Sequence, residues 1–425
     1  MHSPQLSDAA QRAADQAIGY LMQAGIENPD CLSLAAGFVD ESTLPAELIA
    51  KSAARILTSD AQGRATLQYG TTPGMESLRS VFRGHLARLE NNPAVNDLPL
   101  DRLMLTTGSQ QFLCLLTQAL FNPGDICLVA APTYFVYLGV LEAVGAEVIV
   151  VPTDSDGMQP DGLEQTFRTL ESEGRLDRVR LVYAVSYYDN PAGVSIAADR
   201  RESIVRIVQQ WTEKSPVRLL EDAAYRELRY NGPVLPSLWS YDDTNETVIL
   251  TQTFSKSFSP GLRIGLSVLP LSLVKAVTDL KGNEDFGSAR LNQHIMADVL
   301  SSGAYSDHVM SVTDGYTVKR DAMLSAADEF FSDIPGVLWE TPDGGLYVWM
   351  TLPAEIPTSF ASPLFQHATQ EEKVIYVPGE LCYPAKWDER PRCQMRLSFG
   401  VLPTDQIREG MKRLASAVSH IMSST

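Results

Sequence analysis

Cysteine is scarce in this 425-residue chain, and Cys31, Cys114, Cys127, Cys382 and Cys393 are odd in number and far apart. No pairing or zinc-ligand spacing links them, which argues against a disulfide framework and leaves them as small apolar side chains of a reducing compartment. The histidines (His2, His85, His294, His308, His367 and His420) are as scattered, so no metal site is expected. No run approaches the roughly 18 apolar residues of a membrane span. The opening Met-His-Ser-Pro-Gln-Leu-Ser-Asp has neither the basic nor the apolar region of a secretory signal. Positive charge is in deficit: 34 Lys and Arg against 52 Asp and Glu give a net charge of −18, which disfavours nucleic acid and anionic lipid. No Gly-x-Gly-x-x-Gly follows the first strand and no Walker sequence occurs, which removes the usual dinucleotide and nucleoside-triphosphate readings. A cytoplasmic protein with no nucleic-acid and no membrane partner is the expectation.

What is present is enough apolar sequence, 44% of residues, to fill two cores, and the length favours two domains. Residues 8 to 25 carry Ile18, Leu21 and Met22, with Ile26 just beyond, at helical spacing. From Arg102 onward short β-rich runs alternate with helical patterns: Leu103 to Thr106, Ile126 to Ala130, Glu147 to Val151, Leu181 to Val185, Val217 to Leu220, Val248 to Leu250 and Ile264 to Leu269. Such alternation predicts an α/β fold with a mostly parallel seven-stranded sheet between helices. A helix over Ala304 to Phe331 then opens a second block with strands at Gly344 to Leu352, Lys373 to Val377 and Gln394 to Phe399, closed by a helix from Thr404 to Met422. The organisation expected is an N-terminal segment (1–60) packing with a smaller α+β domain (304–425), and a large domain (61–303).

In a parallel sheet, ligands sit beyond the carboxyl ends of the strands, and the chemistry is concentrated there. Thr247-Val-Ile-Leu250 leads into Thr251-Gln-Thr-Phe-Ser-Lys-Ser-Phe-Ser-Pro-Gly-Leu-Arg-Ile-Gly265. This places the Lys256 amine on scaffold among hydroxyls, with a permanent cation at Arg263. A lysine whose pKa is lowered by desolvation or a neighbouring cation forms Schiff bases with carbonyls, and Thr253, Ser255 and Arg263 make a phosphate clamp. Gly108-Ser109-Gln110 opens a helix whose free N–H groups favour an anion. Other strands are followed by Tyr134, by Asn190 in Tyr188-Asp-Asn-Pro-Ala-Gly193, and by Asp222 and Tyr225 in Leu220-Glu-Asp-Ala-Ala-Tyr225. In Met395-Arg-Leu-Ser-Phe399, alternation puts Arg396 and Ser398 on one face, and a guanidinium fork matches a carboxylate. Taken singly, each of these residues is equally readable as turn, cap, core or surface.

Together, Ser/Thr-x-Ser-Lys, six residues, then Arg-x-Gly resembles the cofactor-lysine signature of the class I/II aminotransferases, the fold-type I pyridoxal-phosphate-dependent transferases. Ala-Ala-Gly37-Phe, Gln-Tyr69-Gly-Thr-Thr-Pro-Gly and Gly344-Gly-Leu-Tyr-Val-Trp look most like the branch containing aminoadipate and kynurenine aminotransferases. The resemblance implies pyridoxal phosphate joined to Lys256, its ring nitrogen paired with Asp222 and its 3-oxygen with Tyr225 and Asn190. It further implies a phosphate held by Ser109, Gln110, Thr253, Ser255 and Arg263, Tyr134 stacked on the ring, and Tyr69 reaching the phosphate of a second subunit in a homodimer with shared sites. Gly37 and Arg396 would meet the substrate carboxylate, and the reaction would pass an amino group from an L-amino acid to a 2-oxo acid. The family usually has Asn-Pro-Thr-Gly where this chain has Ala192, so a hydroxyl is lost while Asn190 remains. A lyase, decarboxylase or racemase on the same scaffold, or a non-catalytic regulatory module, are the other readings.

Overall fold

The computed structural model describes residues 5–13, 19, 23 and 28–424. Seven runs join in one sheet: β1 Leu103–Thr106, β2 Ile126–Ala130, β3 Glu147–Val151, β4 Val179–Val185, β5 Arg218–Asp222, β6 Val248–Thr253 and β7 Gly265–Val268. Their spatial order is β1-β7-β6-β5-β4-β2-β3. The pairings among β2 to β6 are parallel, and β7 runs antiparallel to β1 and β6. Runs such as Val-Ile-Leu and Leu-Met-Leu lack polar alternation because both faces of the central strands are covered, and β1 and β6 are buried along their whole length. The edge strand β3 is half-buried at four of its five residues.

A second, antiparallel sheet contains β8 Leu338–Trp339, β9 Tyr347–Thr351, β10 Val377–Pro378 and β11 Gln394–Ser398, ordered β8-β9-β11-β10. The helices Ala304–Phe331 and Thr404–Ser424 pack on each other. Trp349 lies opposite Arg396 and Tyr347 opposite Ser398. Directly opposed residues share a face, so this register places Tyr347 beside the guanidinium of Arg396.

Two expectations change. The run from Lys373 to Val377 is not one strand: Val374–Ile375 pairs in parallel with Leu32–Ser33, and Val377–Pro378 pairs with β11. The chain changes partner at Tyr376, whose hydroxyl donates to the Thr358 carbonyl at 3.0 Å. At the N-terminus the described helix is Asp8–Arg12, capped by Ser7; Ile18, Leu21, Met22 and Ile26 lie outside the described residues. Among the described residues, no helix is long and apolar enough to cross a membrane.

The carboxyl end of β5 is fixed by a buried charge. Glu221, without solvent exposure, accepts from Ser186 Oγ (2.6 Å), Leu238 N (3.0 Å) and Trp239 N (2.9 Å). Arg201 faces it at 3.8 Å and donates to the carbonyls of Ile196, Pro236 and Ser186 at 2.9, 2.8 and 2.6 Å. Removing one member of such a set leaves a buried charge uncompensated, at a cost of about 3–5 kcal/mol. Arg201→Met is therefore expected to lower the denaturant midpoint by an amount equivalent to about 3 kcal/mol or more. An unchanged midpoint would show that this pair does not anchor the strand end.

Candidate active site

The ends of β1, β2, β4, β5 and β6 and the start of β7 lie along one edge of the sheet, and the turns that follow them face the second sheet. Lys256 stands three residues beyond β6, and its amine donates to the Gly37 carbonyl at 2.6 Å. Burial disfavours the ammonium form. Tyr347 opposes that effect while the Arg396 and Arg263 cations reinforce it, and the pKa is lowered overall. Among the described residues no carboxylate pairs with this lysine.

Beside it lies an anion cradle. Arg263 has a left-handed backbone (φ 52°) and directs its guanidinium to Ser255 Oγ at 3.4 Å and the Thr107 carbonyl at 3.2 Å. Thr253 Oγ1 donates to Ser255 Oγ at 3.0 Å. Gly108, with φ +73°, opens the helix Gly108–Leu120, and a Cβ there would stand 2.6 Å from Arg263 Nη2. The positive φ favours glycine, and a side chain there would push the Arg263 guanidinium aside. Its absent side chain brings the first-turn N–H groups of Ser109 and Gln110, which have no intrahelical acceptor, up to the guanidinium and the two hydroxyls. The buried Gln110 Oε1 has no hydrogen-bond partner among the described residues.

Asp222 ends β5 and is 3% exposed. Tyr183 Oη donates to it at 3.0 Å and the Ala224 N–H at 3.2 Å. Burial pushes its carboxyl up to about 6, against those two bonds and with Glu221 adding to the rise. No Lys, Arg or His among the described residues pairs with it. Tyr134, partly buried before the helix Phe135–Val144, has its phenol raised by burial and then by the Asp222 charge.

At the opposite wall Arg396 is buried, with Nη1 donating to Asn190 Oδ1 and Nη2 to the Ala35 carbonyl, both at 2.8 Å. Among the described residues its Nε has no hydrogen-bond partner and no carboxylate pairs with it. Its guanidinium lies 4.3 Å over the ring of Tyr347, whose hydroxyl is 3.1 Å from that of Tyr225. A Cβ on Gly37 would stand 3.3 Å from that Tyr347 hydroxyl, so Gly37 keeps this corner open.

The structure thus brings Lys256, Arg263, Arg396, Asn190, Asp222, Tyr225, Tyr134, Thr253, Ser255, Ser109, Gln110 and Gly37 to one edge of the sheet. Tyr69 is not among them: it is 80% exposed, and its ring meets Phe286 at 6.3 Å. Tyr347 and Tyr183 went unmarked in the sequence reading. Tyr183 sits inside a wholly apolar strand run and carries no local signal. Tyr347 was findable, since alternation along Gly344-Gly-Leu-Tyr puts it on a fixed face, but that this face is also Arg396's depends on sheet register.

Pyridoxal phosphate fits this arrangement. The cradle around Gly108 matches a phosphate, the carboxylate of Asp222, which no cation among the described residues neutralises, matches a protonated ring nitrogen, and the unbridged amine of Lys256 matches the aldehyde.

The family model for aminotransferase class I and II matches residues 29–414. The aromatic-amino-acid aminotransferase 1 of Thermococcus litoralis is 34% identical over 399 residues, covering 93% of this chain and 90% of that protein. Among solved structures, the multiple substrate aminotransferase from Thermococcus profundus superposes with a TM-score of 0.89 at 33% identity, over 99% of this chain and 98% of that one. The Pyrococcus horikoshii kynurenine aminotransferase, solved in complex with PMP, gives 0.88 at 31% identity over 98% and 97%. With nearly its whole length inside that match, the chain belongs to the aminotransferase class I and II family and is a pyridoxal-phosphate-dependent enzyme that transfers amino groups.

Proposed function

We propose that the donor is an L-amino acid whose α-carboxylate docks on Arg396, that the acceptor is a 2-oxo acid, and that Lys256 moves the α-proton. The supporting observation is that three ionisable groups in one cleft, the half-buried Lys256 and the buried Arg396 and Asp222, lack an oppositely charged partner among the described residues. Bound pyridoxal phosphate supplies the electron sink for the charge left at Cα. Every other task falls to the protein.

Arg396 meets the carboxylate with its fork, and Gly37 leaves the substrate space between that fork and the lysine. Lys256, whose pKa burial and the neighbouring cations lower, is positioned to take the proton from Cα and return it one atom along, because an amine held at this point stays within reach of both carbons. Asp222 would hold a proton on the ring nitrogen. Tyr225 and Asn190 would hold the 3-oxygen, and Tyr134 would pack on the ring. Ser109, Gln110, Thr253, Ser255 and Arg263 would hold the phosphate.

A homodimer with shared sites accounts for Tyr69. Tyr69 and Phe286 are 80% and 75% exposed and form an apolar tip near the mouth, which a second copy would cover while bringing its own Tyr69 to the phosphate. The chain divides functionally into an N-terminal segment (1–60) that works with a substrate-gripping domain (304–425), and a cofactor-holding domain (61–303). The aromatic and kynurenine substrates named for its relatives favour a donor with a large side chain. A cytoplasmic setting suits free, partly exposed cysteines such as Cys31 and Cys114.

Two experiments test these roles. Loaded enzyme mixed with an L-amino acid and no acceptor is expected to form one equivalent of 2-oxo acid and one of pyridoxamine phosphate per site, then stop until 2-oxoglutarate or pyruvate is added. Continuous release of ammonia or carbon dioxide would make it a lyase or decarboxylase instead. The second concerns Asp222. Its folded pKa, about 6, lies above its unfolded value, so the native state binds the extra proton and this group subtracts stability as pH rises from about 4 to about 6, then no further. Cofactor-free Asp222→Asn should therefore gain on wild type across that window by roughly 1–3 kcal/mol, as read in melting temperature against pH. The same variant should bind pyridoxal phosphate less tightly. A constant stability difference between pH 4 and 7 would contradict the unpartnered carboxylate.

A further inference from the structure

Tyr347 belongs to no step above, yet it touches both Arg396 and Tyr225. It is 1% exposed and lies in β9 on the face it shares with Arg396. The Arg396 guanidinium sits 4.3 Å above its ring, and its hydroxyl is 3.1 Å from that of Tyr225, the rings meeting edge-on at 5.8 Å. The Gly37 position, whose carbonyl holds Lys256, is the third neighbour of that hydroxyl.

The pair contains two O–H groups and one hydrogen bond, and among the described residues neither phenol makes another. One donor is therefore left over, and a buried donor without an acceptor costs about 1–3 kcal/mol. A relay satisfies both: Tyr347 donates to Tyr225, and Tyr225 donates onward to an acceptor in the cleft. The groups facing Tyr347 fix this direction. Arg396 on β11, lying over the ring, stabilises its ionised form, and Lys256 beyond β6 adds to this only when it carries a proton, while Tyr134, Tyr316 and Cys382 are its other titratable neighbours. Burial raises its pKa, but Arg396 first, then Lys256 and the Tyr225 hydrogen bond, lower the phenol overall, whereas burial raises that of Tyr225. The stronger acid donates to the weaker.

We propose that Tyr347 is a positioning residue that couples the carboxylate handle to the cofactor end of the site, through a Tyr347-to-Tyr225 hydrogen-bond relay aimed at the 3-oxygen. This rests on the proposed placement of Tyr225 against that oxygen. A substrate carboxylate on Arg396 neutralises the cation above Tyr347, weakens its donation, and so loosens the grip of Tyr225 on the oxygen. Binding at one end is thereby reported at the other before any bond to the substrate forms.

The test is a pH titration of the visible absorbance of the loaded enzyme, with and without saturating 3-phenylpropionate, a carboxylate that has no amine. In wild type the carboxylate should move the midpoint upward. Tyr347→Phe keeps the ring under Arg396 and removes only the hydroxyl. Its ligand-free midpoint should already stand higher by roughly half a pH unit or more, and its response to the carboxylate should be less than half that of wild type. Its affinity for 3-phenylpropionate should stay within about threefold, since the cation–ring contact is retained. Asn190, the other side chain on Arg396, is present in both proteins, so its share of the response cancels. A Tyr347→Phe midpoint and shift equal to wild type, while Tyr225→Phe moves the midpoint, would overturn the relay alone. An unmoved midpoint in Tyr225→Phe would overturn the placement of Tyr225 and the relay with it.

Discussion

The site depends on charges that the chain buries and does not pair. Lys256, Arg396 and Asp222 each lie in surroundings that penalise an isolated charge by several kcal/mol, and each is held by neutral groups. The lysine has the Gly37 carbonyl, the arginine has Asn190, the Ala35 carbonyl and the face of Tyr347, and the aspartate has Tyr183 and the Ala224 amide. These partners orient the groups without neutralising them. In the proposed assignment a protonated ring nitrogen meets the aspartate, a substrate carboxylate meets the arginine and the lysine amine joins the cofactor, so ligand binding would relieve a cost that folding has already imposed.

The scaffold bears this because the charges sit at strand ends rather than along them. β5 shows the division of labour in two adjacent residues. Glu221 is completed by Ser186, two amides and Arg201 and serves the fold, whereas Asp222, one residue on, points to the other face and waits for a partner. Around Gly108 the same economy is conformational: a glycine at positive φ lets a helix terminus, two hydroxyls and the Arg263 guanidinium come together.

Much of this was legible in the sequence. The strand runs stood out because a sheet covered on both faces needs unbroken apolar stretches, and the spacing from Lys256 to Arg263 is local. What escaped was whatever register or partner choice decides. The run from Lys373 to Val377 reads as one strand because nothing in five residues says that Tyr376 changes sheets. Tyr347 becomes significant only when β9 and β11 are aligned with Trp349 opposite Arg396, and Tyr183 only when β4 lies beside β5. Tyr69 is legible as a motif and inert within one chain, since its exposed ring has its proposed task in another copy.

The covalent attachment point is the most direct test of the proposed site. Borohydride reduction of the loaded enzyme, followed by proteolysis and mass mapping, should place one phosphopyridoxyl group per chain on Lys256, with loss of the visible colour. A label on a different lysine, such as the buried Lys281, or no label with the colour retained, would contradict the proposed site at its centre.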